Sequence, residues 1–425
     1  MRRRPLVCDA GLTIFGPDVV KNRYFPAKES FDIFLPMEPT SPHAAATAPT
    51  DPHPYLDKGL EGIVAFSSRK SFIDGAKGEL IYAGYSIETL AEHATFEEVC
   101  YLLWHERLPN RSELSALNAT LQAERQIPDY LLAYLHATNP KSEPMHVLRT
   151  AVSMLADSDD EAEAMDAAAN LRKSIRLTAK IPTIIAAFDR IRNGRDVKAP
   201  LTSGSTAHNF LYMLNGEEPG ANAERVMDLC LVLHAEHGMN ASTFTARAIA
   251  STESDLHSAV TGAIGSLKGP LHGGANTAVM EMLMHLSPDT DIAAFVKGKL
   301  ERKEKIMGFG HRVYKTFDPR ATQLRILAKD LATEVNKEYL YNWSETILRV
   351  MKEEKNIDPN VDFFSATVYY SMGILPDLYT AIFAMARISG WTAHYIEQLG
   401  NNRLIRPRQL YLGAKGLVWN PLEQR

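Results

Sequence analysis

Four histidines, two aspartates and two arginines stand in four short stretches whose composition suits proton transfer next to a carbonyl. In Leu233-His-Ala-Glu-His-Gly-Met-Asn-Ala-Ser242, His237 continues the inward stripe of Val226, Leu229 and Leu233 and precedes the helix-ending Gly238. A core histidine bonded to a carbonyl is the plain alternative there. His234 and His237 also suggest a metal pair, but no third ligand has suitable spacing and HExxH is absent, so no metal is expected. In Lys268-Gly-Pro-Leu-His-Gly-Gly-Ala-Asn276, His272 falls just before the N-terminus of an apolar-periodic helix. The positive end of the helix dipole disfavours imidazolium, leaving a neutral ring able to donate to a developing oxyanion. A glycine-rich turn with an incidental histidine is the alternative, and a P-loop is excluded because GxxxxGK[ST] is missing.

The third stretch, Lys305-Ile-Met-Gly-Phe-Gly-His-Arg-Val-Tyr-Lys-Thr-Phe-Asp-Pro-Arg320, gathers Lys305, Arg312, Lys315 and Arg320 around His311. It reads either as a solvated basic loop or as a local anion site for phosphates or carboxylates. In Pro359-Asn-Val-Asp-Phe-Phe-Ser365, Asp362 stands among apolar neighbours, which raise a carboxyl pKa and make a better general base; helix capping is its other role. Arg387 lies inside an apolar helix and needs an anionic partner. Arg406 and Arg408 are surface charges or further carboxylate clamps. One carboxylate base, neutral histidines and arginines suit proton abstraction beside a carbonyl followed by carbon–carbon bond formation.

The elements that must hold these groups are helical. Thr95-Phe-Glu-Glu98 is a capping box that opens a helix with Val99, Leu102 and Leu103 inward, and Pro109 is expected to end it. Leu114, Leu117 and Leu121, then Val226, Leu229, Cys230 and Leu233, then Asn276 to Leu286 and Phe383 to Leu399, keep helical spacing. Strand-like alternation is confined to Phe72-Ile73 and Leu80-Ile81-Tyr82 around an Asp74-Gly75 turn. The body is therefore expected to be all-α. Residues 1–58 differ: they hold nine of the 23 prolines, six of them between Pro36 and Pro54, and read as an arm with a flexible linker. That arm is charge-balanced, so the net charge of −5 belongs to the body, and no broad basic field for nucleic acid is present. Cys8, Cys100 and Cys230 are odd in number and scattered, as in a reducing compartment. No run approaches a membrane span, and the basic Met1–Pro5 start is followed by Asp9 and Asp18 rather than an apolar segment. The expected location is the cytoplasm.

His237-Gly-Met-Asn-Ala-Ser, Gly269-Pro-Leu-His-Gly-Gly-Ala-Asn276, Met307-Gly-Phe-Gly-His-Arg-Val-Tyr-Lys315, Asp318-Pro-Arg320, Asn360-Val-Asp-Phe363 and Arg406-Pro-Arg408 together resemble the signature blocks of citrate synthases, in that family's order. The resemblance runs from Gly59 to the C-terminus. It implies an all-α, citrate-synthase-like two-domain fold: a large domain from residues 59–271 and 372–425, and a small mobile domain, residues 272–371, that closes over the substrates. It implies a homodimer and condensation of acetyl-CoA with oxaloacetate to citrate, without cofactor. By motif match Asp362 is the base, His272 stabilises the enol(ate) and His311 polarises the oxaloacetate carbonyl. His237, Arg320 and Arg387 would bind carboxylates, and Arg406 would reach the other subunit's site. Lys305, Ile306, Met307, Gly308, Phe309, Gly310, Arg312 and Lys315 would hold CoA.

Two departures qualify the resemblance. The arm does not resemble the β-rich N-terminal domain of hexameric, NADH-inhibited relatives, so the resemblance does not extend to hexamers or to that control. Phe363-Phe364 stands where relatives often carry Phe-Tyr or Phe-His, which makes the acyl pocket more apolar and more tolerant of propionyl-CoA. The nearest rival is thus 2-methylcitrate synthase or a dual-specificity enzyme. Arg312 occupies a position where bacterial members of that group often have proline, which favours acetyl-CoA. A non-catalytic assembly or CoA-sensing protein is the rival of another class, and an intact His272, His311 and Asp362 argues against it.

Overall fold

Amphipathic and capped segments account for nearly every element. The computed structural model describes residues 58–425 except Arg312. The expected N-terminal arm, Lys58 apart, and Cys8 lie outside the described residues. Residues 58–65 are assigned to a separate unit and form a turn in which the Glu61 and Ile63 N–H groups bond Lys58 and Leu60 carbonyls. Everything below belongs to the unit Phe66–Arg425.

That unit begins with a small antiparallel sheet, β1 (Ser71–Asp74), β2 (Glu79–Tyr82) and β3 (Tyr85–Ser86), paired in that order with Ser71 opposite Tyr82 and Ile81 opposite Ser86. Its first turn is the expected one: Asp74 Oδ1 accepts the N–H groups of Ala76 and Lys77, each at 3.0 Å. Helices follow without further sheet: α1 (Ile87–His93), α2 (Phe96–His105), α3 (Arg111–Ala123), α4 (Asp129–Ala137), α5 (Pro144–Met154), α6 (Ala167–Arg192), α7 (Thr206–Asn215) and α8 (Ala221–His234). The second half contains α9 (Ala241–Ala250), α10 (Leu256–Leu267), α11 (Ala275–Met284), α12 (Ile292–Glu301), α13 (Pro319–Glu334), α14 (Glu338–Lys355), α15 (Val361–Ser371) and α16 (Tyr379–Gly400). None of these helices is long and apolar enough to cross a membrane.

The Thr95 capping box forms as read, with the Glu98 N–H on Thr95 Oγ1 and the Thr95 N–H on Glu98 Oε2. Two local expectations are corrected. Helix α2 stops at His105, ahead of Pro109, because Glu106 turns left-handed (φ 59°) and its N–H closes on Leu102 O at 2.7 Å. Helix α8 stops at His234, so His237 lies in the connection to α9 rather than on the helical stripe. A second capping box, Asn110 with Glu113, opens α3.

Helix α16 is the hub. Eighteen of its 22 residues are buried, so it is enclosed on all sides rather than along one stripe. It packs against α2, α5, α6, α8, α9, α10 and α11. Trp391, fully buried, is the largest side chain in the core, and burial of an aromatic of this size stabilises by about 3 kcal/mol. Polar side chains on α16 are satisfied across or along the helix: Thr392 Oγ1 accepts from Trp104 Nε1–H at 2.9 Å and bonds Ile388 O at 2.8 Å.

Gly390 lets α16 approach the α8–α9 connection. A Cβ there would lie 2.4 Å from Glu236 Oε2 and 2.5 Å from Ala235 O. Gly390→Ala is therefore expected to lower the free energy of unfolding by about 1–3 kcal/mol. Gly400→Ala, with nothing within 4 Å of the new methyl, is expected to be neutral or stabilising by under about 1 kcal/mol. Denaturant titration of the two variants checks the contrast.

Candidate active site

Chain segments far apart in sequence bring the candidate groups together beside α16. His272 sits in the turn after α10, where the Gly273 N–H bonds Leu267 O at 2.9 Å. A Cβ on Gly273 would lie 2.5 Å from that carbonyl, which is why the turn needs glycine there. His272 Nε2 is 2.8 Å from Ser242 Oγ and 3.4 Å from the Ser242 N–H. Ser242 Oγ also contacts Asn240 Oδ1 at 2.8 Å and accepts from Trp391 Nε1–H at 3.0 Å. A main-chain N–H aimed at Nε2 favours the tautomer with the proton on Nδ1, on the opposite edge of the ring. Burial, followed by the nearby Arg387 charge, pulls the ring pKa down to about 4. Neutrality was expected from the helix dipole; desolvation is its leading cause.

His311 is fixed in the complementary way. Its Nδ1 accepts from the N–H groups of Val313 (3.0 Å) and Tyr314 (3.2 Å), so the proton resides on Nε2. Burial and then Arg320 lower its pKa to about 4. The loop holding it rests on the first hairpin: the Lys315 N–H bonds Gly75 O at 2.8 Å. His237 packs edge-on against His311 with ring centroids 5.1 Å apart, and its Nε2 hydrogen-bonds the Tyr314 hydroxyl at 3.2 Å. Burial, then Arg320, drives its pKa well below the usual histidine value.

Asp362 lies in the first turn of α15. Capping falls to Asn360, whose Oδ1 accepts the Asp362 N–H at 3.0 Å and whose Nδ2 donates to Gly310 O at 3.0 Å. With the Asn360 N–H on Gly308 O and the Gly310 N–H on Asp358 O, this joins residues 308–310 to residues 358–360. Asp362 Oδ1 is buried without a hydrogen-bond partner. Burial raises its pKa to about 7, against the opposing pull of Arg320. The expected raised-pKa carboxylate is present.

Two arginines complete the cluster. Arg320 is buried and held by Asp318, Nε to Oδ1 at 3.0 Å and Nη2 to Oδ2 at 2.7 Å. Arg387 donates from Nε to His234 O at 2.7 Å and lies over the Phe383 ring, but its buried Nη2 has no partner. Burial lowers its pKa to about 10. A buried guanidinium with an unused nitrogen is built to receive a carboxylate.

The cations of the basic stretch differ in burial. Arg320 is internal and paired, Lys305 and Lys315 are exposed, and Arg312 is outside the described residues. Ile306 is buried and joins the core, while Met307, Gly308, Phe309 and Gly310 form the loop that reaches His311. Arg406 and Arg408 are exposed in the irregular segment after α16 and make none of the hydrogen bonds of the cluster. Cys100 and Cys230 are free and buried. Among the described residues no group of three or more histidine, cysteine, aspartate or glutamate side chains is placed to hold a metal; His234 instead bonds Cys230 O at 2.8 Å. Reading the sequence by motif missed Ser242, Tyr314, Asn360 and Asp318 as supports, although all four lie inside the motifs and three precede or follow a candidate group by two or three residues.

A family model described as citrate synthase, C-terminal domain, matches residues 59–408. The chain belongs to the citrate synthase family. It is 49% identical over 370 residues to "Citrate synthase 2" of Bacillus subtilis (strain 168), covering 87% of this chain and 99% of that one. Among solved structures it is similar to citrate synthase from Pyrobaculum aerophilum, with TM-score 0.82, 37% identity, and coverage of 87% and 95% of the two chains. It is also similar to the Thermoplasma acidophilum citrate synthase in a ternary complex with carboxymethyl coenzyme A and oxaloacetate, at TM-score 0.81, 33% identity and coverage of 87% and 99%. This citrate synthase family member thus matches its relatives over nearly their whole length.

The Asp362 environment has a consequence for stability. The folded pKa lies above the ordinary aspartate value of 3.8, so the folded chain holds this proton more tightly than the unfolded chain, and stability falls as pH rises from about 4 to about 7. Asp362→Asn removes that loss. The variant is expected to be a few kcal/mol more stable than the parent at about pH 8 and little different at about pH 4, as read by chemical denaturation.

Proposed function

We propose that the chain condenses acetyl-CoA with oxaloacetate and water to give citrate and CoA, the entry step of the tricarboxylic acid cycle, in the cytoplasm. The observation that carries this reading is a buried carboxyl group whose Oδ1 has no hydrogen-bond partner and whose pKa is raised by burial, in one cluster with Arg320, Arg387 and two imidazoles kept neutral by burial, each with one ring nitrogen not engaged by the main chain. In the proposed sequence the Asp362 carboxylate takes a proton from the acetyl methyl group. The electron pair of that C–H bond moves into the C–C bond, and charge builds on the thioester oxygen, where His272 Nδ1–H donates. The enol(ate) carbon attacks the oxaloacetate carbonyl, whose oxygen is polarised by His311 Nε2–H. Water then cleaves the citryl thioester, releasing CoA.

Carboxylates of oxaloacetate and citrate would be held by Arg387 through its unused Nη2, by Arg320 and by His237. CoA would lie along Lys305–Gly310, with Arg312 and Lys315 on its phosphates. The small domain of residues 272–371 would close over both substrates against residues 59–271 and 372–425. We assign the functional unit as a homodimer in which Arg406 enters the partner's site. Support comes from the exposed apolar side chains of the C-terminal segment, Leu404, Leu410, Leu412, Leu417 and Trp419, and from the small residues Ser258, Thr261, Gly262, Gly265 and Ser266 left incompletely buried on α10.

Thiol release measured with oxaloacetate plus acetyl-CoA, or plus propionyl-CoA, tests the reading; a larger kcat/KM for acetyl-CoA is expected, and preference for propionyl-CoA would reassign the acyl substrate. Asp362→Asn is expected to lower kcat by about 10²–10⁴-fold while oxaloacetate still binds. In the parent, kcat is expected to rise with pH through about 7 as Asp362 ionises.

A further inference from the structure

Behind the carboxylate-binding arginine lies a buried chain of ionisable groups that the condensation does not use. Glu236, between α8 and α9, is fully buried. Its Oε1 accepts from the Ser71 hydroxyl at 2.9 Å and is 3.1 Å from His394 Nε2, whereas Oε2 has no partner. Arg387 is its neighbour: the point where a Gly390 Cβ would stand is 2.4 Å from Glu236 Oε2 and 3.3 Å from Arg387 Cδ. Arg387 likewise keeps Nη2 buried and bare. Opposite charges thus lie side by side, each with an unused atom and no hydrogen bond between them. A purely structural ion pair buried this deeply needs its bonds made.

His394 connects Glu236 to the outside. Its Nδ1 is 3.1 Å from Arg247 Nη1 and 3.5 Å from Glu397 Oε2. Arg247 also donates to Glu397 at 2.7 Å and to Gln398 at 2.9 Å, and the exposed Arg69 supplies its N–H to Glu397 Oε1 at 2.8 Å. The charged groups facing the imidazole are therefore Glu236 from the α8–α9 connection, Arg247 from α9 and Glu397 from α16 itself. Two arrangements satisfy these atoms. A neutral ring accepts from Arg247 at Nδ1 and donates to Glu236 from Nε2. A protonated ring turns Nδ1–H to Glu397 and cancels the charge of Glu236.

We propose that Glu236 and His394 are positioning residues that set the affinity of the site for the keto diacid. With His394 protonated, the positive charge of Arg387 is free for a substrate carboxylate; with His394 neutral, Glu236 competes for it. This rests on the reading of Arg387 as an oxaloacetate ligand. Burial pulls the His394 pKa down, but Glu236 and Glu397 more than offset this and the net shift is upward, so the proton is lost as pH rises past the ordinary histidine range. Binding a dianion favours the protonated ring, and by linkage affinity falls as pH rises.

Asp362→Asn removes the pocket carboxyl raised toward neutrality, and His237, His272 and His311 stay neutral above about pH 6, so calorimetric binding of oxaloacetate to that variant from about pH 6 to about pH 9 isolates the pair. Its Kd is expected to rise about tenfold across the range, with proton uptake on binding. Adding His394→Gln keeps a donor for Glu236 but no titration, and binding is expected to be weak at every pH. Adding Glu236→Gln removes the competing charge, and binding is expected to be tight at every pH. A merely structural role would weaken both double variants alike and leave the slope in place. A flat Kd in Asp362→Asn overturns the inference while oxaloacetate binding itself upholds the site; absence of binding at any pH overturns both. Should a double variant fail to fold, the slope and proton uptake of Asp362→Asn decide.

Discussion

A guanidinium in the middle of an enclosed helix is the most demanding group in this structure, and much of the surrounding architecture follows from holding Arg387 there. An unpaired buried charge costs several kcal/mol. Only part of that cost is met within the chain: one bond to the His234 carbonyl, the Phe383 ring face and the nearby Glu236 charge. The helix that carries it is correspondingly rich in apolar contacts, with Trp391, Tyr379 and Tyr395 fully buried along its length. Hydrophobic burial stabilises the scaffold enough for the site to keep a bare cation, an unpartnered carboxyl and three neutral imidazoles. Each of those would be a defect in an inert core, and here each is a group left ready to act.

Dryness also explains why the histidines are alike in charge and unlike in direction. Burial keeps His237, His272 and His311 neutral, while main-chain N–H groups orient the two that carry a free donor. Ser242 aims one ring and the Val313–Tyr314 backbone aims the other. Such donors need no reorganisation when negative charge develops, which is where most of an enzyme's electrostatic advantage arises.

The helical character, the hairpin, the Thr95 capping box and the positions of His272 and Asp362 were legible because each depends on residues a few places apart. Spacing also pointed to Arg387 as a buried charge. It misplaced His237 on a helix, because Gly238 lies within the connection to α9 rather than at the end of α8, and it grouped Arg320 with Lys305 and Lys315 because nearness in sequence conceals which charge faces inward. The partners that tune the site were not legible. Trp391 to Ser242 spans 149 positions and His394 to Glu236 spans 158, and no local pattern encodes such pairs. The family resemblance named the reacting groups; it said nothing of what holds them.

The ladder between residues 308–310 and residues 358–360 ties His311 and Asp362 to one piece of backbone, although α13 and α14 separate them in sequence. Gly308 has its φ at +80°, and a methyl there would lie 2.9 Å from Phe363 Cβ, so neither side has slack. The two segments behave as the teeth of a zip. Insertions and deletions are tolerable in the intervening helices' outer turns, but a one-residue slip in either segment would misalign the acid and the imidazole together. Changes in chain length are therefore barred from this short stretch more strictly than changes in side chain.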